Sequence, residues 1–175
     1  MGDLTEHFDS YEFDCPHCGE NKILKSFVER LEKLHKILNA RSIIVSSGYR
    51  CPEHSVAVGG YDNDAHVMGF GADIIAYKQD GNAYTSKTVA YYAEKLGFGG
   101  IGIIDDYYCH VDTRDENKYA NNHWFGNELT GENYSTFQNM NIDEIQKTEN
   151  DTKIYINGKA EYSGNSIKEI RIEVE

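Results

Sequence analysis

His66 and Asp73 stand seven residues apart within Asp64-Ala65-His66-Val67-Met68-Gly69-Phe70-Gly71-Ala72-Asp73, and His110 follows in Tyr108-Cys109-His110-Val111-Asp112. Two neutral imidazoles and a carboxylate are the three protein ligands of an open catalytic zinc site, which binds them at about 2.0–2.2 Å and leaves a fourth position to water. The step from His66 to Asp73 is too long for two ligands on one strand. The chain must therefore fold back between them, and Gly69 and Gly71 permit such a bend. His110 then approaches from a neighbouring strand. Alternation along that strand puts His110, Asp112 and Arg114 on one face, with Cys109 and Val111 on the other. Asp112 is thereby placed either to act as general acid/base or to orient a ligand imidazole. Any one of these histidines alone reads as a core or surface residue; the set reads as a metal site.

The elements that must position these groups follow from periodicity. Ile23, Leu24, Phe27, Val28, Leu31, Leu34, Ile37 and Leu38 recur at helical spacing and predict an amphipathic helix over 21–39. Lys25, Glu29, Arg30, Glu32 and Lys33 lie on its other face and read as solvated charges. The β-branched run 42–46 predicts a strand that delivers Ser47-Gly48-Tyr49-Arg50 at its end, a good location for a functional arginine. The turn formers Pro52, Gly59 and Gly60 predict a loop over 51–64. A second strand over 72–76 and a helix over 85–96 follow. Strands over 101–104 and 108–113 are joined by Asp105-Asp106 as a hairpin. The polar stretch 114–139 reads as loop, with a helical turn at 141–147. The alternating tail, with a turn at Asn157-Gly158, reads as a small β-hairpin. The first twenty residues read as an irregular arm anchored by Phe8, Tyr11 and Phe13. The expected architecture is α+β, a small antiparallel sheet packed against helices. Its expected division is a domain over 1–125, a polar connector over 126–148 and a C-terminal β extension over 149–175.

Composition narrows the partners. With 29 acidic and 17 basic residues and a formal net charge of −12, the surface repels phosphate backbones, so nucleic acid is not an expected partner. No apolar run of membrane-spanning length occurs, and Met1-Gly2-Asp3-Leu4-Thr5-Glu6 lacks the charged and apolar regions of a secretory signal, so neither membrane insertion nor signal-directed export is expected. The cysteines at 15, 18, 51 and 109 include one CxxC pair. They read as reduced thiols, with a disulfide or a structural zinc at Cys15, Cys18 and Cys51 as alternatives.

Five motifs in order carry a family resemblance: Ser47-Gly48-Tyr49-Arg50, Gly59-Gly60, His66-x-x-Gly69-x-Gly71-Ala72-Asp73, Gly100-Ile101-Gly102-Ile103 and His110-Val111-Asp112-Thr113-Arg114. Together they resemble the zinc D-alanyl-D-alanine carboxypeptidases and their phage L-alanyl-D-glutamate endolysin relatives, which share a fold with the hedgehog signalling domain. The resemblance covers roughly residues 8–125. It implies that His66, Asp73 and His110 bind Zn2+ and that Arg50 stabilises an oxyanion or holds a substrate carbonyl or carboxylate. The implied reaction is hydrolysis of D,D- or L,D-type peptide bonds in peptidoglycan peptides. An endolysin would remain in the cytoplasm, or with the phage, until released onto the wall. Two positions depart from the family pattern. Asp64 replaces a serine two residues before the first histidine, and Tyr107 replaces an acid three residues before the second. The acid/base role then falls to Asp112 or, failing it, to Asp106. The alternative is a catalytically inactive zinc-containing binding or structural module of the same fold.

Overall fold

The computed structural model describes residues 2–118 and 123–143. An arm with one 3-10 turn at Ser10–Phe13 leads to α1 (Lys25–Ile37), β1 (Ser42–Ser47), α2 (Pro52–Ala57), β2 (Gly71–Tyr77) and α3 (Ser86–Lys95). Three short strands complete the described fold: β3 (Gly100–Ile103), β4 (Cys109–Asp112) and β5 (Trp124–Asn127). The strands form one sheet in the order β1-β2-β4-β3-β5. Every pairing is antiparallel except β3 with β5. This is the α+β architecture expected.

Alternation divides the sheet into two faces. Ala72, Ile74 and Ala76 of β2, Ile101 and Ile103 of β3, and Cys109 and Val111 of β4 are buried in one core with Phe27, Val28, Leu31 and Leu34 of α1 and Val89, Ala90 and Ala93 of α3. Removing such side chains from water is the main favourable term in folding. The residues between them, Asp73 on β2 and His110 and Asp112 on β4, face the other way.

Local differences from expectation have identifiable causes. The first helix begins at Lys25, not residue 21, because the Asn21 side chain is spent on the arm, donating to the Ser10 carbonyl and Asp14 and accepting from the Ile23 amide. It ends before Asn39, whose φ of 45° takes the left-handed turn common after a helix. The 51–64 segment is not loop throughout: Pro52 starts α2, where its fixed φ suits a first helical turn and its missing N–H costs nothing. The 114–139 stretch is likewise not all loop, because β5 pairs with β3.

Nor are all charges on α1 solvated. Glu32 is buried and accepts from Thr5 Oγ1 at 3.0 Å and the His7 amide at 3.2 Å, pinning the arm, and Arg30 forms an ion pair with Glu116. Beyond β5, Phe137 is fully buried beside Phe125, and Glu94 of α3 accepts from the Phe137 amide and the Thr136 hydroxyl, both at 2.7 Å. Asp143 accepts from the Thr85 amide at 2.7 Å at the start of α3. The helical turn expected at 141–147, beyond residue 143, and the β extension over 149–175 lie outside the described residues.

Candidate metal centre

Register brings the central pair together. Asp73 on β2 lies directly opposite His110 on β4, and Gly102 on β3 lies on the other side of His110. Direct cross-strand partners share a face of the sheet. His66 comes from the turn before β2. In that turn the Asp64 side chain accepts from the Val67 amide at 3.0 Å, the Phe70 amide donates to the Ala65 carbonyl at 3.0 Å, and Gly69 adopts φ 77°. Asp64 also accepts from the Ser55 hydroxyl. At this departure from the family pattern, the aspartate therefore holds the histidine turn to α2.

The three groups converge on one point. His66 Nε2 lies 3.2 Å from His110 Nδ1 and 3.3 Å from Asp73 Oδ1, and His110 Nδ1 lies 2.9 Å from Asp73 Oδ1. Donors about 2.0–2.1 Å from a tetrahedral metal stand about 3.3–3.4 Å apart, so the triangle is close to that required.

The outer partners assign the tautomers. His66 Nδ1 is 2.8 Å from the Gly48 carbonyl, which can only accept, so the proton sits on Nδ1 and the Nε2 lone pair points inward. His110 Nε2 is 3.2 Å from Asp112 Oδ2, which places the proton there and turns the Nδ1 lone pair inward. With both rings neutral, three acceptors face one another, an arrangement suited to a cation. Burial disfavours charge on His110, but Asp112 and Asp73 more than offset it and raise its pKa to about 10. Burial likewise opposes ionisation of Asp73, yet its contacts with His110 and His66 hold it far below the usual carboxylate range. The chemistry and spacing of this donor set fit zinc.

The remaining expected site residues divide. Arg50 is brought in: its Nη2 donates to Asp73 Oδ2 at 2.5 Å and its Nε to Ser47 Oγ at 2.8 Å. The register irregularity between Val45 and Ser47 bends β1 where Arg50 leaves it. Asp112 is also brought in, but it is fully buried and already accepts from the Arg114 amide at 2.9 Å and from Arg114 Nη2 at 2.6 Å. Burial is outweighed by His110 and Arg114, which hold its carboxyl far below the ordinary range. These contacts suit orientation of His110 better than proton transfer. Gly100 allows this placement, since a β-carbon there would fall on the Asp112 carboxylate. Asp106 is exposed in the β3–β4 turn, where its carbonyl accepts from the Ser86 amide. Tyr107 is exposed in the same turn.

Further groups flank the site, of which Glu128 had no sequence signal. Trp124 stands edge-on to His110 with ring centroids 6.3 Å apart, and Arg114 lies 5.5 Å from the Trp124 ring. Glu128, just past β5, reaches over Gly102: its Oε1 lies 2.9 Å from the position of a β-carbon there, on the face that carries His110. It comes from a polar stretch in which nothing distinguishes it from other surface acids. A groove beside Arg50 is lined by Glu12, Asp14, Ser47, His54 and Val58.

A family model described as peptidase M15 matches residues 7–112, a span that includes Arg50, the donor triangle and Asp112. No curated protein matches the chain.

Proposed function

Because the chain belongs to the peptidase M15 family, whose members are metal-dependent and typically use zinc, we propose that it is a zinc peptidase that hydrolyses D,D- or L,D-type bonds in peptidoglycan stem peptides or cross-links. One observation carries this reading: His66 Nε2, His110 Nδ1 and Asp73 Oδ1 turn three lone pairs toward one point while Gly48 and Asp112 occupy the opposite ring nitrogens.

Zinc held by those three atoms supplies Lewis acidity toward a peptide carbonyl and toward water. The protein supplies the rest. Arg50 fixes Asp73 through one carboxylate oxygen and sets a positive charge beside the groove, where it pairs with a substrate carbonyl or terminal carboxylate. Asp112 keeps His110 in the tautomer that binds metal. Glu128 accepts a proton from the attacking water and passes it to the leaving amine; its position on the His110 face makes it a better candidate than the saturated Asp112 or the distal-turn Asp106. In this reading the peptidase unit extends beyond 125 through Asp143. The protein acts on the wall as a phage or prophage endolysin, held in the cytoplasm or with the phage until release.

A second reading, a metal-holding module without catalysis, draws on Tyr107, which stands exposed where relatives carry an acid. One experiment separates the two. Zinc-loaded protein incubated with purified peptidoglycan of several cross-link chemistries releases new amino groups, and chelation abolishes the release until zinc is restored. No release from any wall by protein that holds zinc at the triangle overturns the peptidase reading and leaves the module.

A further inference from the structure

We propose that Cys15, Cys18 and Cys51 form a second, structural zinc site that fastens the N-terminal arm to the lip of the groove. The three Sγ atoms lie within 4.8 Å of one another, although Cys51 is distant in sequence, and His17 Nδ1 lies 3.3 Å from Cys51 Sγ. Thiolates about 2.3 Å from a tetrahedral zinc stand about 3.8 Å apart, so modest closure brings the three sulfurs to ligand spacing.

The local backbone is that of a metal knuckle. The Gly19 amide donates to the Cys15 carbonyl and the Cys15 amide to the Glu20 carbonyl, both at 2.8 Å, and Gly19 turns at φ 73°. The Cys51 amide donates to Cys15 Sγ at 3.4 Å, a contact that suits a sulfur carrying negative charge. All three cysteines are free thiols. A disulfide can consume only two of them and leaves the third against the bridge, whereas a metal uses all three. Cys109 takes no part, being buried in the core behind the sheet.

The location gives the site its purpose. Cys15 and Cys51 are buried with Tyr49 in a small cluster apart from the main core. Cys51 follows Arg50 directly, and Glu12, Asp14 and Pro16 of the arm line the groove beside that arginine. A metal here fixes the position of the arm relative to Arg50 and takes no part in bond cleavage. Binding energy at a structural zinc is folding energy.

The test is made on the full chain purified under reducing conditions. Metal analysis gives two equivalents of zinc per chain, and His66→Ala and Cys18→Ser each retain one. Cobalt substitution gives thiolate-to-metal charge-transfer absorption in the wild type and in His66→Ala, and that absorption is absent in Cys18→Ser. Cys18 is exposed, so its serine variant leaves the core untouched. Should that variant fail to fold, the cobalt spectrum of His66→Ala decides alone. A single equivalent lost with His66→Ala, a cobalt spectrum without thiolate absorption, or a Cys15–Cys18 disulfide in the reduced preparation would each overturn the proposal. These readouts do not depend on peptidase activity, so they fail or succeed separately from the catalytic reading.

Discussion

His110 and Asp112 sit two residues apart on β4 and face the same way, so that Nε2 of one rests 3.2 Å from Oδ2 of the other in a fully buried contact. The carboxylate is held from behind by Arg114, and His110 is left with a single inward lone pair. These contacts support the proposed role of Asp112 in orienting His110.

Replacing Asp112 by Asn loosens this support. Zinc affinity falls about 10–100-fold, the range for loss of a partner behind a metal-bound histidine. Activity recovers when excess zinc is supplied, as a general acid/base variant would not. Gly100→Ala, which pushes a β-carbon into the same carboxylate, lowers zinc affinity in the same direction. Competition with a zinc-binding dye measures both.

Glu128→Gln leaves zinc content unchanged and lowers kcat by about 10²–10⁴-fold. Asp106→Asn leaves kcat near wild type. Full activity in Glu128→Gln would return the proton-transfer role to another group.

Zinc binding is coupled to protons. Asp112 and Asp73 raise the pKa of His110 from 6.5 to about 10 against the effect of burial. Metal must displace the titrating proton, so apparent zinc affinity rises about tenfold per pH unit across neutral pH and levels off near the folded pKa. The sign reverses for the metal-free fold. Its His110 contribution is fully present below the unfolded value near 6.5 and is lost as pH rises through about 10. Isothermal titration over a pH series and thermal melts with chelator measure the two arms.

Glu32 sets an acid limit on the arm. Burial raises its pKa, but His7, Lys36 and Thr5 outweigh burial and depress it from 4.5 to about 2. A depressed carboxylate contributes stability above its unfolded pKa and loses it as pH falls through the folded one. The arm therefore loosens between about pH 4.5 and 2. Glu32→Gln costs about 1–3 kcal/mol at neutral pH and flattens this dependence in denaturant melts followed across pH.

The legible parts of the molecule are those governed by local period. The stripe from Phe27 to Leu38 specifies α1, and alternation in β4 separates His110 and Asp112 from Cys109 and Val111: the latter two join the apolar core while His110 lies opposite Asp73. The turn between His66 and Asp73 is legible because Gly69 must take a positive φ. Less legible are α2, where a proline starts a helix as readily as it breaks one, and β5, whose four residues gain strand geometry only by pairing with β3.

By itself the sequence determined which side chains are of zinc-ligand type, which strands present them, and that an arginine follows β1. Tertiary structure decided the surroundings on which their proposed roles rest. Orientation of His66 depends on a carbonyl at Gly48, and the choice between Asp112 and Glu128 depends on burial and on a strand pairing across the sheet. Hydrogen-bond partners and solvent exposure arise from residues distant along the chain, so no local pattern encodes them. The same holds for Cys51, whose meeting with Cys15, His17 and Cys18 exists only once the arm has folded back onto the end of β1.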